Sequence, residues 1–186
     1  MNLSVMPRNI EIKAVLRNRD AVVAAAAKKS DAEPETIFQH DFFFRCSKGR
    51  LKLRIFEAGR GELILYEREN VAEARCSHYQ IAHTSDPEVL LDILTHALGR
   101  TGEVKKTRVL YRIGQTRVHI DQVEGLGDFL ELEVVLRPDQ TEAEGQKIAA
   151  NLLREFGIEK DHLVPNAYVD LLRKLRVPEP PNQLVP

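Results

Sequence analysis

Polar and apolar residues alternate in eight short runs of the chain. Alternation over about four to eight residues is typical of a β-strand that buries one of its two faces. The runs lie at residues 9–16, 38–45, 51–56, 63–68, 75–81, 105–113, 116–123 and 129–136. Polar or glycine-containing turns follow the runs between residues 38 and 81, so this part of the chain predicts an antiparallel meander.

Two other segments in the first half of the chain predict helices. The first is the Ala-rich stretch 20–29, in which the opening aspartate is a candidate N-cap. The second follows Ser85 or Asp86 as a cap, has Pro87 at its first helical position and ends at Gly99.

Two further helices are expected near the end of the chain. Thr141 and Glu144 have the spacing of a capping box, and the apolar residues that follow recur at helical intervals up to Gly157. A shorter helix is predicted over 167–175. Four prolines between residues 178 and 186 then predict a loose, Pro-rich tail over 177–186.

Eight strands of similar length with few helices between them predict a particular architecture. Such strands form an antiparallel sheet that closes into a barrel. We therefore expect an α+β fold in which an eight-stranded antiparallel β-barrel carries flanking helices. The 186 residues fit one domain, which we assign to residues 1–176.

The overall charge limits the classes of partner. Lys and Arg total 27, Asp and Glu total 28, and the formal net charge is −1. A general nucleic-acid coat is therefore not expected, because affinity for a polyanion depends on net positive surface. No apolar run approaches the ~20 residues of a membrane helix. Without a secretory or transit signal at the start, we expect a cytoplasmic protein whose Cys46 and Cys76 are reduced.

Acidic residues recur at alternate positions of the predicted strands. Glu131 and Glu133 share one face of their strand at a separation of roughly 6–7 Å, and Glu11 and Asp121 lie in similar polar stripes. Their charges repel, which predicts that neutralising Glu131 or Glu133 leaves stability equal or higher. Mg²⁺ or Mn²⁺ would relieve the repulsion. Taken alone, however, the pattern more often marks a solvated exterior.

Basic residues follow the same spacing. They are Lys13, Lys52, Arg54, Arg68, Arg75, Lys106, Arg108 and Arg117. If acids and bases face one cavity, a cationic half could hold phosphates and an acidic half a metal, which suits a triphosphate. Each basic residue taken singly is more often solvated. His119 shares the face of Arg117 and Asp121, so both a place in this cavity and a structural hydrogen bond remain open.

Several separated motifs resemble one known family. Asn9-Ile-Glu-Ile-Lys13 is similar to the Glu-x-Glu-x-Lys first strand of the CYTH superfamily, the triphosphate tunnel metalloenzymes. Gln39-x-Asp41-x-Phe43 and the run 118–134 resemble its class IV adenylyl cyclase branch, as does Tyr168. The resemblance spans roughly residues 8 to 175, and motifs in the right order make chance agreement improbable.

The resemblance implies a tunnel whose charged face turns inward, with Mg²⁺ or Mn²⁺ as cofactor. The implied metal ligands are Glu11, Asp121, Glu131 and Glu133. The implied triphosphate-binding residues are Lys13, Lys52, Arg54, Arg68, Arg75, Lys106, Arg108 and Arg117. The implied catalytic residues are Glu11, Lys13, Glu131 and Glu133. Two positions depart from the pattern: Asn9 replaces a glutamate, although an amide oxygen still ligates Mg²⁺ weakly, and Phe43 replaces a tyrosine.

Three functions are compatible with this resemblance. The first is a class IV adenylyl cyclase, which converts ATP to cyclic AMP and pyrophosphate. The second is a triphosphatase that hydrolyses an inorganic or organic triphosphate, such as thiamine triphosphate or a nucleotide. The third, suggested by Asn9, is a polyphosphate-binding module without catalysis. We expect a triphosphate partner, neither nucleic acid nor membrane, and leave association into a homodimer open.

Overall fold

Eight antiparallel strands close into a barrel in the computed structural model, which describes residues 7–57, 59–68, 71 and 73–176. Within these residues the elements are β1 (Arg8–Val15), α1 (Arg19–Lys29), β2 (Glu35–Phe44), β3 (Arg50–Phe56), β4 (Gly61–Arg68), β5 (Arg75–Thr84), α2 (Pro87–Leu98), β6 (Arg100–Ile113), β7 (Thr116–Val123), β8 (Gly127–Val135), α3 (Glu142–Glu155), a short 3-10 helix (Lys160–His162) and α4 (Tyr168–Arg176). The predicted α+β barrel is confirmed. The predicted loose tail over 177–186 lies outside the described residues.

The strand order around the barrel is β1-β5-β4-β3-β2-β6-β7-β8, and β8 pairs with β1 to close it. The predicted meander is confirmed, because β2 pairs antiparallel with β3, β3 with β4 and β4 with β5. β1 does not pair with β2. It lies between β5 and β8, so three strands separate β1 from β2 in either direction around the barrel.

Two strands begin three or more residues earlier than the sequence pattern predicts. β2 starts at Glu35 rather than residue 38, and β6 starts at Arg100 rather than residue 105, directly after Gly99. These two strands pair with each other from Glu35 opposite Leu110 to Phe44 opposite Arg100, so each supplies the other's backbone hydrogen bonds. The N-cap of α1 also differs: Asn18 Oδ1, not Asp20, accepts the Ala21 amide at 3.2 Å.

The main apolar core lies outside the barrel, between the strands and the helices. Apolar side chains of β1, β7 and β8 pack against α1 and α3, and those of β2 and β3 pack against α2. Contact with α3 is close at Gly145, where a Cβ would lie 2.6 Å from Ile10 Cγ1. Because successive strand residues point to opposite faces, this outward apolar face leaves the charged face turned into the barrel.

Helix α4 lies at one end of the barrel. Its first residue, Tyr168, packs edge-on against Phe129, and Val169 joins the same apolar cluster as Phe43. Arg50 donates two hydrogen bonds to the Asp170 carboxylate, at 3.2 and 2.6 Å. These contacts hold α4 against the end where β3 begins. None of the described helices combines the length and the apolar composition needed to cross a bilayer.

Candidate active site

The barrel encloses a tunnel-like cavity of about 310 Å³ lined by side chains from all eight strands. Its basic lining residues are Lys13, Lys52, Arg54, Arg68, Lys106, Arg108 and Arg117. Its acidic lining residues are Glu11, Asp41, Glu62, Glu131 and Glu133. The structure thus brings most of the expected site residues together. The remaining two, Arg75 and Asp121, are buried behind this lining, with exposed fractions of 4% and 0%.

Asp121 is the most enclosed carboxylate of the site. It accepts hydrogen bonds from Arg108 Nε and Nη2, both at 2.6 Å, and from Lys106 Nζ and the Tyr168 hydroxyl, both at 3.0 Å. Burial alone would raise its pKa, but Arg108 and Lys106 hold the pKa of Asp121 well below its usual range. Asp121 therefore fixes two basic side chains in place.

Asp41 on β2 performs the same task for two other cations, and sequence analysis assigned it no role. Its carboxylate accepts from Lys52 Nζ at 2.8 Å and from Arg54 Nε at 2.7 Å. These cations hold the pKa of Asp41 well below its usual value despite burial. Burial and the neighbouring Arg54 lower the pKa of Lys52 to about 8. Asp41 lies directly opposite Arg54 in the pairing of β2 with β3, so the register of this pairing is the feature that would have identified it.

The other carboxylates also have cationic partners. Glu11 Oε1 lies 2.5 Å from Arg68 Nη1 and 3.3 Å from Arg75 Nη2, although burial still raises the pKa of Glu11. Glu133 lies 2.9 Å from Arg117. Acids and bases are therefore interleaved around the tunnel, and the expected division into an acidic half and a cationic half is wrong.

Glu131 is held between two cations. Its carboxylate lies 2.6 Å from Arg108 Nη2 and 3.5 Å from Lys13 Nζ. Burial opposes ionisation, yet Lys13 and Arg108 hold the pKa of Glu131 well below its usual range. These contacts replace the premise of mutual repulsion, from which equal or higher stability was predicted for a neutralised Glu131. We now expect the substitution to destabilise the fold, since it would leave buried cations without their counterion.

A group of three donors could hold a metal ion. One ligand atom each from His119, Glu131 and Glu133 lies within 4.8 Å of the others. Burial, followed by the charge of Arg108, lowers the pKa of His119 to about 3, so the imidazole is neutral and offers a lone pair. Its Nδ1 atom is buried without a hydrogen-bond partner among the described residues. Two carboxylates and this free nitrogen fit a divalent cation. Glu11 and Asp121 are not members of this group.

Tyr168 lines the tunnel at the α4 end. Lys13 Nζ lies 3.9 Å from the centre of the Tyr168 ring, a cation–π contact, and burial lowers the pKa of Lys13. Phe43 lines the same end, where its ring adds to the apolar cluster under α4. Asn9 also lines the tunnel, and its Oδ1 atom is buried without a partner among the residues that the structure describes.

Known proteins are similar to this chain in sequence and in structure. A Methanocaldococcus jannaschii protein named "Putative adenylate cyclase MJ0240" is 22% identical over 169 residues, which cover 87% of this chain and 97% of the relative. The PH1012 protein of Pyrococcus horikoshii has a similar structure, with a TM-score of 0.77 and 23% identity over 88% of this chain and 98% of that one.

A third known protein shares the same fold. The structure of HpAC1 from Hippeastrum, described as an adenylyl cyclase candidate with a dominant triphosphatase activity, matches with a TM-score of 0.64 and 16% identity. The match covers 94% of this chain and 98% of that one. The family model described as the CYTH domain matches residues 7–168. Taken with the closed barrel and its charged interior, this match shows that the chain belongs to the CYTH domain family.

Proposed function

We propose that the chain is a divalent-metal-dependent enzyme that acts on a triphosphate bound in the tunnel. The observation that carries the proposal is the enclosure of seven basic side chains in one cavity beside the donor group of His119, Glu131 and Glu133. The sequence motifs most resemble those of class IV adenylyl cyclase, so our first candidate reaction is the formation of cyclic AMP and pyrophosphate from ATP.

The basic side chains are suited to phosphate because they are held in position before a ligand arrives. Asp41 fixes Lys52 and Arg54, and Asp121 fixes Lys106 and Arg108. Donors that are preorganised in a water-poor site stabilise developing negative charge more effectively than mobile surface residues. A triphosphate carries about four negative charges, so several such cations would share it.

His119, Glu131 and Glu133 would hold the metal ion, for which we propose Mg²⁺ or Mn²⁺. When bound, the ion neutralises phosphate oxygens and polarises the phosphorus that is attacked. Arg108 contacts Glu131 at 2.6 Å and Asp121 at 2.6 Å, so it joins the donor group to the phosphate-binding cations. Tyr168 and α4 would exclude water from the α4 end of the tunnel.

Two reactions fit this site, and they differ in the nucleophile. In cyclisation, the ribose 3′ oxygen bonds to the α-phosphorus as pyrophosphate leaves and the hydroxyl proton is released. In hydrolysis, water bonds to the terminal phosphorus, the bond from this phosphorus to the bridging oxygen breaks, and orthophosphate, the remaining diphosphate and a proton are released. The activity described for HpAC1 favours hydrolysis as the second candidate. The neutral Asn9, where the family signature has a glutamate, favours a binding module as the third.

One incubation series separates the three candidates. The purified protein is mixed with ATP, inorganic tripolyphosphate or thiamine triphosphate, each with Mg²⁺ or Mn²⁺, and the products are separated by chromatography. Cyclic AMP with pyrophosphate identifies a cyclase, orthophosphate identifies a triphosphatase, and binding without turnover identifies the module. If no triphosphate binds, the proposal is wrong.

A matched pair of variants tests the role of the tunnel cations. Lys106 faces the tunnel, whereas its neighbour Lys105 is exposed on the outer face of the same strand. A charge-assisted contact contributes about 1.5–3 kcal/mol, so Lys106→Gln should weaken triphosphate binding by about tenfold or more. Lys105→Gln should leave binding unchanged. Equal effects of the two substitutions would contradict binding inside the tunnel.

A further inference from the structure

A second cavity lies beside the tunnel, at the α4 end of the barrel. It has a volume of about 520 Å³ and is bounded by the segment that joins β2 to β3, by the start of β6 and by α4. Its charged lining residues are Arg45, Arg50, Arg68, Arg173 and Asp170. Four cations and one carboxylate leave an excess of three positive charges in one concave space, so the cavity favours an anion.

The carboxylate of this cavity holds two of the arginines in place. Asp170 accepts hydrogen bonds from Arg50 at 3.2 and 2.6 Å, and its Oδ1 atom lies 3.8 Å from Arg173 Nη1. Arg173 also donates to the Thr101 carbonyl oxygen at 3.0 Å. The arrangement is the one found twice in the tunnel, where one aspartate fixes two basic side chains. Cations fixed in this way are already oriented when an anion arrives.

Arg68 joins this cavity to the tunnel. The two spaces share a wall formed by Phe43, Tyr66 and Arg68, and the Arg68 side chain is only 4% exposed. Arg68 Nη1 lies 2.5 Å from Glu11 in the tunnel, whereas Arg68 Nε is buried without a hydrogen-bond partner in the described part of the chain. Buried donors without a partner are rare in folded proteins, so this N–H group is a candidate contact for a ligand.

The guanidinium groups select the chemical class of the anion. A guanidinium donates two parallel hydrogen bonds to a phosphate group, and several of them around one space match an oxyanion that has many acceptor oxygens. Arg45 and Arg173 are exposed and form the rim of the cavity, whereas the side chain of Arg50 is 25% exposed. A phosphate can therefore enter from solvent. Orthophosphate and pyrophosphate share this chemistry, and each is released by one of the two candidate reactions.

We propose that this cavity is a second anion-binding site, separate from the tunnel, and that it binds inorganic phosphate in the form of orthophosphate or pyrophosphate. Arg45, Arg50 and Arg173 contact the oxyanion from three sides. The site goes beyond the proposed function, because it holds an inorganic product next to the place where that product is formed. Binding there needs no turnover in the tunnel, so the site can be tested without an assay of activity.

Calorimetric titration in EDTA with orthophosphate, and separately with pyrophosphate, is the first test. Arg45→Gln and Arg173→Gln each remove a cation from the rim and keep the contact between Arg50 and Asp170 that holds α4. At least one of the two anions should show a binding event that each substitution weakens by about fivefold or more, since a charge-assisted contact partly screened by solvent is lost. Lys106→Gln, which alters the tunnel, should leave this event unchanged. The anion with the higher affinity is the product that the site holds.

Lys174→Gln is the matched control for Arg173→Gln. Lys174 is the next residue of α4, is also exposed and does not line the cavity. Both substitutions change the net charge by the same amount on the same helix, so the control should leave the affinity for either anion unchanged.

Cys46 reports the location of the bound anion, because this exposed thiol lines the cavity. In the Cys76→Ser variant, the preferred anion should slow the reaction of Cys46 with iodoacetamide in proportion to the occupied fraction of the site. Adding Arg173→Gln should remove this protection at the same anion concentration, whereas adding Lys174→Gln should preserve it.

Three outcomes would overturn the second site. Equal effects of Arg173→Gln and Lys174→Gln would mean that the anion responds only to net charge. Loss of all orthophosphate and pyrophosphate binding in Lys106→Gln would assign that binding to the tunnel. Binding that leaves Cys46 unprotected would place the anion elsewhere. In each case, binding of tripolyphosphate in the tunnel would leave the proposed function standing, whereas a failure of every triphosphate to bind would overturn the proposed function alone.

Discussion

Replacing Asp121 with asparagine removes the buried charge that four donor groups share. Lys106 Nζ, Arg108 Nη2 and the Tyr168 hydroxyl all donate to Oδ2, and Arg108 Nε donates to Oδ1. An asparagine has one oxygen and one NH₂ group. Whichever way its amide turns, at least one of these donors meets another donor. The two cations also lose the carboxylate that compensates their burial.

The magnitude follows from the burial of the group. Asp121 is fully buried, and breaking a buried ion pair by removing one partner costs about 3–5 kcal/mol. For a domain of this size, each kcal/mol lowers Tm by about 2–4 °C, so we expect a decrease of about 6–20 °C. The free energy of unfolding is measured by urea titration followed by circular dichroism, in EDTA so that no metal ion contributes.

Asp161→Asn is the matched control, since it breaks an ion pair on the surface. Asp161 lies 3.0 Å from Arg17, and more than half of each side chain is exposed. Such pairs contribute about 0–1 kcal/mol. If Asp121→Asn changed stability no more than this control while weakening metal binding, Asp121 would be a metal ligand, as the family resemblance implied, and the structural argument would be refuted.

Three further predictions concern other parts of the fold. Glu131→Gln should destabilise the protein in EDTA by about 3 kcal/mol, because two buried cations lose a counterion; an unchanged urea midpoint would contradict this. Gly145→Ala should destabilise by up to about 2 kcal/mol, since overpacking against Ile10 costs ~1–3 kcal/mol and helix propensity returns only ~1; a raised Tm would contradict it. Burial raises the pKa of the Cys76 thiol to about 11. In the Cys46→Ser variant, the rate of Cys76 alkylation should therefore rise about tenfold per pH unit between about pH 8 and 10, whereas the rate for an ordinary thiol would level off in this range.

The alternation of polar and apolar residues was sufficient to predict the barrel. It works here because the two faces of each strand meet different surroundings, with helices outside and the charged tunnel inside. The early starts of β2 and β6 could not be predicted in this way. Residues 35–37 and 100–104 are strands because each segment has the other as its hydrogen-bonding partner, and that pairing is a property of the tertiary structure.

The candidate site was predictable in its members but not in its contacts. The spacing placed Lys52 with Arg54 and Lys106 with Arg108 on shared strand faces, and the family resemblance implied that these faces turn inward, as the structure has them. Which carboxylate holds which cation depends on the register between neighbouring strands, which the spacing within one strand does not show, and Asp41 was missed for that reason. The neutral state of His119, on which its proposed donor role rests, likewise depends on burial and on Arg108, which lower its pKa and which the spacing does not show.

The interleaving of acids and bases has a consequence for ligand binding. Seven cations enclosed in one cavity would repel one another strongly in a medium of low dielectric constant, so a tunnel lined by them alone would not fold. Carboxylates such as Asp41 and Asp121 remove this repulsion in the free protein, and they also aim the cations inward.

Because Asp121 lies behind the lining, it does not occupy the space that a phosphate would take. Asp41 lines the cavity itself, so a phosphate that binds Lys52 and Arg54 must share them with this carboxylate. We therefore expect Lys106 and Arg108, which are adjacent to the proposed metal-binding donors, to bind phosphate more strongly than Lys52 and Arg54.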